Sequence, residues 1–366
     1  MKQTPVRNSA LRGSARPRML RAVYSGSLEV YANLALEQQL YEALQPDEIV
    51  LLLWRNSPSV VIGRHQNPWT ECDLQAMQRD GVKLARRASG GGAVYHDGGN
   101  GNFSFLAGAD YYDQQLQFSI VIAALAALGI AAQRSGRNDI LADGRKFSGN
   151  AFRYRKEKSY HHGTILIDTD LPRLSAYLNP AHTAVRESKA IASVRSGVVN
   201  LSELKAGLQW PAVCRQLVAG AERAWGGAAR VEQIDQQRLD GDDDVRARVA
   251  ELCSWQWLYG RTPDFGCVHR LERDGHGGSE SGAELELELQ LHRGRIADLK
   301  LHPDQEYAAL AQQLRRTLGG VRYRPEDLRR CAAALSRDGP ARSVCRQLAL
   351  QLQATADTPL GTEEQG

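Results

Sequence analysis

The chain has 366 residues, 42% hydrophobic and 24% charged, a composition ordinary for a soluble globular protein and long enough for a large core plus a second small domain. Its formal charge of +4 does not mark a nucleic-acid binder: Lys2, Arg7, Arg12, Arg16, Arg18 and Arg21 lie in the first 28 residues with no acid among them, and without those cations the charge is −2. The longest apolar run, 120–132, is too short to cross a bilayer, and the six cysteines form no C-x-x-C pair, so no membrane span, zinc site or dense disulfide framework is expected and a reducing compartment is the simpler inference.

Residues 1–22 read as a basic tail or presequence. Arginine and serine without acid suit a mitochondrial targeting segment, whereas Pro5 and Pro17 interrupt any amphipathic helix, so a disordered tail is an equal alternative. Short β-like runs follow at 49–54, 59–63, 82–85 and 103–106, with helices at 74–78 and at 114–128, the latter ended by Gly129. Asp143-Gly144 between two short apolar runs signals a hairpin with a type I′ turn, which places Lys146 at the start of a strand. A strand at 162–168 and helices at 172–178 and 211–225 come next. Beyond the acidic stretch 240–244, a helix ending near Cys253 leads to a small C-terminal region. There Leu285, Leu287, Leu289 and Leu291 alternate as in a half-buried strand, Arg293-Gly294 turns it back into 296–301, and helices follow at 305–318, 325–335 and 341–350. The glycine-rich 275–282, with His276, reads as a solvated loop, and residues from 355 read as disordered. The expected class is therefore α/β (α+β).

The most informative stretch is Arg86-Arg87-Ala88-Ser89-Gly90-Gly91-Gly92-Ala93-Val94-Tyr95-His96-Asp97. Glycines bring backbone N–H groups close to an anion, and Arg87 is placed to balance its charge. The phosphate-loop pattern of nucleotide kinases is absent, and by themselves three glycines read as a flexible turn. Around this stretch stand Asn56-Ser57-Pro58-Ser59-Val60-Val61-Ile62-Gly63-Arg64, Gln66-Asn67-Pro68-Trp69, Gly136-Arg137-Asn138-Asp139-Ile140, Lys146-Phe147-Ser148-Gly149-Asn150-Ala151-Phe152-Arg153 and His161-His162-Gly163-Thr164. Together, in this order, they resemble the lipoate-protein ligase and lipoyltransferase family from about residue 30 to 201, with a weaker stretch at Trp255-Gln256-Trp257-Leu258-Tyr259-Gly260.

The resemblance implies a biotin/lipoate-ligase-like catalytic domain over 23–258, a smaller C-terminal α+β accessory domain over 259–354, and a tail at 355–366. It also implies protein lipoylation: transfer of a lipoyl group from lipoyl-AMP to a lysine of lipoyl domains in 2-oxoacid dehydrogenase acyltransferase subunits and of the glycine-cleavage H protein. ATP and magnesium would be needed if the same chain makes lipoyl-AMP from lipoate. Activation and aminolysis need positive charge near phosphate oxygens and the developing oxyanion, and the family's catalytic lysine falls at Lys146. Arg87, Ser89, Gly90, Gly91, Gly92, Ala93, Val94 and Tyr95 match acyl-adenylate contacts, with Tyr95 over the acyl side. Arg137, Asn138 and Asp139 match nucleotide or magnesium contacts; the metal is expected to arrive with ATP rather than in a fixed protein site, with Asp139 a candidate contact. Thr164 matches the pocket wall, and Ser193 and Arg195 match the adenylate-binding loop of bacterial ligases.

Residues 30–35 and 56–68 look most like animal mitochondrial members, which implies a matrix location, or the cytoplasm if the source is bacterial. A monomer without nucleic-acid or membrane partners is expected. The adjacent His161 and His162 would face opposite sides of a strand and cannot ligate one ion, and Asp97 reads as a turn cap rather than half of an acid/base pair with His96. Alternatives are an amidotransferase moving octanoyl or lipoyl groups from H protein to acyltransferase subunits, and a non-catalytic binding protein. The related octanoyltransferases commonly use a cysteine thioester, and no cysteine lies in these motifs. Biotin attachment fits less well, since the glycine-arginine repeat of biotin ligases is missing.

Overall fold

A computed structural model of the chain describes residues 16–136, 138–179, 184–193, 197–272, 284–303, 307–337 and 339–353. The loop at 275–282 and the tail from 355 lie outside the described residues, as does most of the segment 1–22. The chain divides into two compact units, one drawn from 1–57, 97–169 and 196–248, the other from 58–96, 170–195 and 249–366.

The first unit is built on an eight-stranded sheet. In spatial order its strands are Arg230–Ile234, Met19–Ser25, Glu48–Arg55, Asn100–Gly108, Lys158–Leu166, Arg145–Tyr154, Asp139–Ala142 and Gln133–Ser135. Asn100–Gly108 is buried at all nine positions, because strands pair on both its edges and packed layers cover both its faces. That burial extends beyond the apolar run 103–106 to the Asn and Gly residues before it. Helix Gln114–Ala127 starts where Asp113 accepts the Leu116 N–H at 3.0 Å. Helix Trp210–Trp225 has Pro211 in its first turn and buries Val213, Cys214, Leu217, Ala221 and Trp225 at helical spacing. Helix Val30–Ala43 has no period-sharp apolar stripe, since Asn33 and Glu37 are buried along with its leucines, and it was not legible from pattern.

Strand Met19–Ser25 cuts into the expected tail. It pairs in parallel with Arg230–Ile234 and with Glu48–Arg55, buries Leu20 and Ala22, and sets Arg21 against Glu48 at 2.9 Å and Glu232 at 2.8 Å. Truncation therefore has a sharp limit. Removing residues 1–15 leaves the strand whole, whereas removing 1–22 strips Leu20 and the Arg21 pairs and costs about 3 kcal/mol or more beyond the shorter truncation. Matched thermal melts of the two truncations check this; equal melting temperatures would mean that residues 19–22 add nothing.

The second unit holds two smaller sheets. Lys83–Arg86, Ser59–Ile62 and Val94–His96 form a three-stranded sheet in that order, packed on Cys72, Met77, Val82 and Tyr177. Val185–Ser188, Phe265–Glu272, Glu284–His292 and Arg295–His302 form a four-stranded sheet. The alternating leucines at 285, 287, 289 and 291 are buried against helices Ala308–Leu318, Pro325–Ala333 and Pro340–Gln351, as period-two patterning required. Arg293 and Gly294, both with positive φ (50° and 70°), make the connecting turn. Among the described residues no helix is long and apolar enough to cross a membrane.

Candidate active site

The glycine loop connects the two strands that flank Ser59–Ile62: Lys83–Arg86 runs parallel to it and Val94–His96 antiparallel. Alternation along the first strand sends Arg86 and Arg87 to opposite sides. Arg86 is fully buried and bonds the carbonyl oxygens of Leu258, Gly63, Arg64 and Gln66 and the Thr262 hydroxyl, while its own carbonyl accepts Trp257 Nε1–H at 2.7 Å. Burial lowers its pKa to about 10, so it stays charged at neutral pH.

Arg87, expected to balance a bound anion, donates to Val61 O (2.9 Å), Gly90 O (2.7 Å), Gly92 O (2.7 Å) and Ser89 Oγ (3.1 Å). These bonds fold the loop around the cation. In a trans peptide the N–H points opposite to the carbonyl, so the Gly91 and Ala93 N–H groups face away from Arg87. The loop also crosses close over Gly63, where a Cβ would lie 2.2 Å from Gly91 O, and Gly91 itself has φ +89°. Ser193, from a segment 100 residues further along the chain, packs against this loop, its Oγ accepting the Ala93 N–H at 2.9 Å. Tyr95, expected over an acyl chain, is 1% exposed and packs its ring 5.4 Å from that of Tyr177 in the core of the small sheet. Asp97 caps its turn by accepting the Gly99 N–H at 2.9 Å.

Lys146 belongs to the first unit. Asp143 (φ 50°) and Gly144 (φ 71°) make the predicted turn, and Lys146 follows on strand Arg145–Tyr154. Its backbone is fixed on the other edge by the 197–199 segment: Lys146 N–H donates to Gly197 O at 3.0 Å, and its carbonyl accepts the Val199 N–H at 2.9 Å. The ammonium, partly exposed at 23%, sits 2.8 Å from Asp139 Oδ1. A Cβ on Gly149 would lie 3.2 Å from Lys146 Nζ, so glycine leaves room for the ammonium, and Thr164 Oγ1 accepts the Gly149 N–H at 3.1 Å. Asn138 is held through its carbonyl, which accepts both the backbone N–H (2.8 Å) and side-chain amide (2.9 Å) of Asn150. Lys146, Asp139, Asn138 and Thr164 thus form one neighbourhood. Arg137 and Arg195 lie outside the described residues.

A buried network supports this neighbourhood. His161 Nε2 is 2.8 Å from Asn150 Oδ1 and its Nδ1 is 3.2 Å from Gln117 Oε1. Desolvation holds the His161 pKa well below 6.5, and a neutral imidazole has only one N–H. Turning the Gln117 amide resolves the conflict, since its Nε2 otherwise has no partner and then donates to Nδ1, leaving Nε2–H for Asn150. His162, on the opposite face, bonds Glu37 Oε1 through Nδ1 at 2.8 Å. A pH prediction follows from His161. Below its ordinary value of 6.5 the unfolded chain binds a proton that the folded chain refuses, so stability falls as pH drops, by at most about 1.4 kcal/mol per pH unit for this group. His269, also lowered by burial, bends the profile in the same direction. The diagnostic is thus the difference between wild type and His161→Gln in denaturant titrations at pH 7.5 and 5.5: the variant should lose less on acidification, and parallel profiles would remove His161 as the cause.

The residues that pattern did not reveal are Arg86, Gln66, Glu71, Gln117 and Asn150. Gln66 and Asn150 stand inside the quoted motifs, but nothing local assigns them partners. Glu71, 6% exposed, accepts hydrogen bonds from the N–H and O–H of Ser193, 122 residues away in sequence.

With this geometry in place, the comparisons identify the family and its fold. The model of the lipoyl protein ligase A/B catalytic domain matches residues 29–222. A lipoate-protein ligase A of Bdellovibrio bacteriovorus is 38% identical over 314 residues, 85% of this chain and 90% of the relative. Another, from Psychrobacter cryohalolentis, is 36% identical over 350 residues, 94% of this chain and 99% of the relative. Among solved structures, P. falciparum LipL1 in complex with lipoate superposes with a TM-score of 0.59 at 29% identity, covering 91% of this chain and 99% of that one. A lipoate-protein ligase A bound with ATP gives 0.54 at 28% identity, covering 66% of this chain and 97% of that one. A bipartite lipoate protein ligase, described with its E2 lipoyl domain, from Thermoplasma acidophilum gives 0.56 at 28%, covering 66% and 96%.

The chain belongs to the lipoyl protein ligase A/B family and is an enzyme of protein lipoylation. These two curated relatives are bacterial, so the mitochondrial expectation finds no support in them.

Proposed function

We propose that the enzyme is a complete ligase that makes lipoyl-AMP from lipoate and ATP and then passes the lipoyl group to a lysine of an acceptor domain. A lipoate carboxylate oxygen attacks the α-phosphorus of ATP and pyrophosphate leaves. The acceptor ε-amine then attacks the acyl carbon, the bond to AMP breaks, and the amine loses a proton as the amide forms. The observation that carries this reading is the Lys146 ammonium, fixed by its backbone bonds and by Asp139 beside Gly149. A compact, oriented ammonium stabilises charge on the acyl oxygen and the phosphate together. The outward Gly91 N–H, in a loop folded on Arg87, suits the adenylate, with Ser89, Gly90, Gly92, Val94 and the Ala93 amide held by Ser193 shaping the cradle.

Support for both substrates comes from relatives solved with lipoate and with ATP. Magnesium would arrive with the triphosphate, and Asp139, the carboxylate next to Lys146, is its candidate contact. Lipoyl domains of 2-oxoacid dehydrogenase acyltransferases and the H protein are the proposed acceptors, the first supported by the archaeal ligase described with its E2 lipoyl domain. In this reading residues 23–258, together with the rest of strand Met19–Ser25, are the catalytic part, 259–354 the accessory part, and the chain acts as a monomer. A thioester route through Cys72, Cys214, Cys267 or Cys345 is disfavoured, since burial pushes the thiols of Cys214, Cys267 and Cys345 up to about 12 and that of Cys72 higher still, and the exposed Cys253 lies outside the motifs that carry the resemblance.

The test uses the full chain with apo H protein and either lipoate plus Mg-ATP or preformed lipoyl-AMP, and separately with lipoylated H protein and an apo acyltransferase domain, each read by acceptor mass. Modification from lipoate plus ATP is expected. Modification from lipoyl-AMP alone would leave a transferase, and modification from the protein-bound donor alone would favour the amidotransferase.

A further inference from the structure

Glu71 lies at the end of the short helix Pro68–Glu71, in the same unit as the glycine loop, and is 6% exposed. A buried carboxylate is costly unless its oxygens are bonded. Those bonds come from Ser193, whose N–H reaches Glu71 Oε2 at 3.2 Å and whose hydroxyl donates to the same oxygen. Ser193 Oγ also accepts Ala93 N–H at 2.9 Å and Gln66 Nε2–H at 3.0 Å, and Gln66 Oε1 accepts Gly63 N–H at 2.7 Å. The hydroxyl is therefore saturated, with one bond donated and two accepted. Where its proton goes matters. Because Glu71 takes that proton, the Ser193 lone pairs are left facing Ala93 and Gln66, and the Ala93 and Gly63 amides on the two sides of the loop crossing are held by one chain of bonds. The fit is close, since a Cβ on Gly92 would lie 3.0 Å from Ser193 Oγ.

We propose that Glu71 is a positioning residue: by accepting the hydrogen bond from the Ser193 hydroxyl it turns the Ser193 lone pairs toward the Ala93 amide, and so sets the glycine-loop geometry that receives the acyl-adenylate. This rests on the reading of that loop given above. Neither Glu71 nor its bond to Ser193 touches the reacting atoms, so the effect is on binding rather than on the chemical step.

The experiment compares wild type, Glu71→Ala, Glu71→Gln, Ser193→Ala and the double alanine variant in lipoate-plus-ATP transfer, with thermal melts of each. Glu71→Ala is expected to raise KM for lipoate about 10-fold while kcat stays within about threefold, the size of one lost hydrogen bond to a charged group. Ser193→Ala should match it, and the double variant should lose no more than the worse single, because both remove the same link. Glu71→Gln should recover part of the loss, since its amide oxygen still accepts the Ser193 proton. Additive losses, an effect on kcat alone, or a folded Glu71→Ala with wild-type KM would overturn the proposal. If Glu71→Ala does not fold, Ser193→Ala and Glu71→Gln carry the same comparison. Wild-type protein that lipoylates no acceptor would instead overturn the function, a result visible before any variant is measured.

Discussion

Replacing Lys146 by alanine should lower lipoyl transfer by about 10²- to 10³-fold, equivalent to about 2.7 to 4 kcal/mol of transition-state stabilisation, while leaving the protein folded. The ammonium is partly exposed and held 2.8 Å from Asp139, so its loss leaves one partly exposed carboxylate unpaired and changes stability by no more than about 1 kcal/mol. Lys146→Arg should not restore activity, because a planar guanidinium is larger than the space beside Gly149, where a Cβ would already lie 3.2 Å from Nζ. The measurement is single-turnover transfer from preformed lipoyl-AMP, alongside circular dichroism and a thermal melt. A folded Lys146→Ala with near-normal transfer would remove the central residue of the mechanism.

Arg86→Ala should have the larger effect on folding. The side chain is 0% exposed, and of the carbonyl oxygens its guanidinium joins, those of Arg64, Gln66 and Leu258 would lose their donor in a dry environment while Gly63 O would keep only the Gln66 N–H. Unpaired buried polar groups cost about 1–3 kcal/mol each, so even with water entering the cavity a loss of about 4 kcal/mol or more is expected, and little soluble protein. Arg86→Lys should rescue poorly, since three donors on one ammonium cannot span the carbonyls that a planar fork reaches. Soluble yield and the urea midpoint decide the matter. A variant within about 1 kcal/mol of wild type would show that the chain around residues 63–66 and 258 is held by something other than this cation.

The two arginines show where pattern stops. Both stand in the glycine motif as a paired cation, and local chemistry suggests anion binding for either. Strand alternation alone separates them, yet their partners come from residues 61–66, 90–92 and 258–262, which no local rule connects. Glu71 is hidden for the same reason: nothing in Pro68-Trp69-Thr70-Glu71 announces a partner at Ser193.

What the sequence determined by itself is what depends on neighbours in the chain. The Asp143-Gly144 and Arg293-Gly294 turns need φ > 0 and carry Gly144 and Gly294, which adopt it freely, the leucines at 285–291 keep the strand period, and the helices near 114, 211, 325 and 340 carry their own start signals. The ordered motifs were also enough to recognise the family, because several short chemical signatures in one order are improbable together. Tertiary structure alone decided the rest. Met19–Ser25 is a strand because Glu48–Arg55 and Arg230–Ile234 offer it parallel edges, the second some 200 residues away, and without them the same residues read as the end of a basic tail. Burial and hydrogen-bond partners are properties of the assembled neighbourhood, so the role of a polar residue inside it is settled only when distant segments meet.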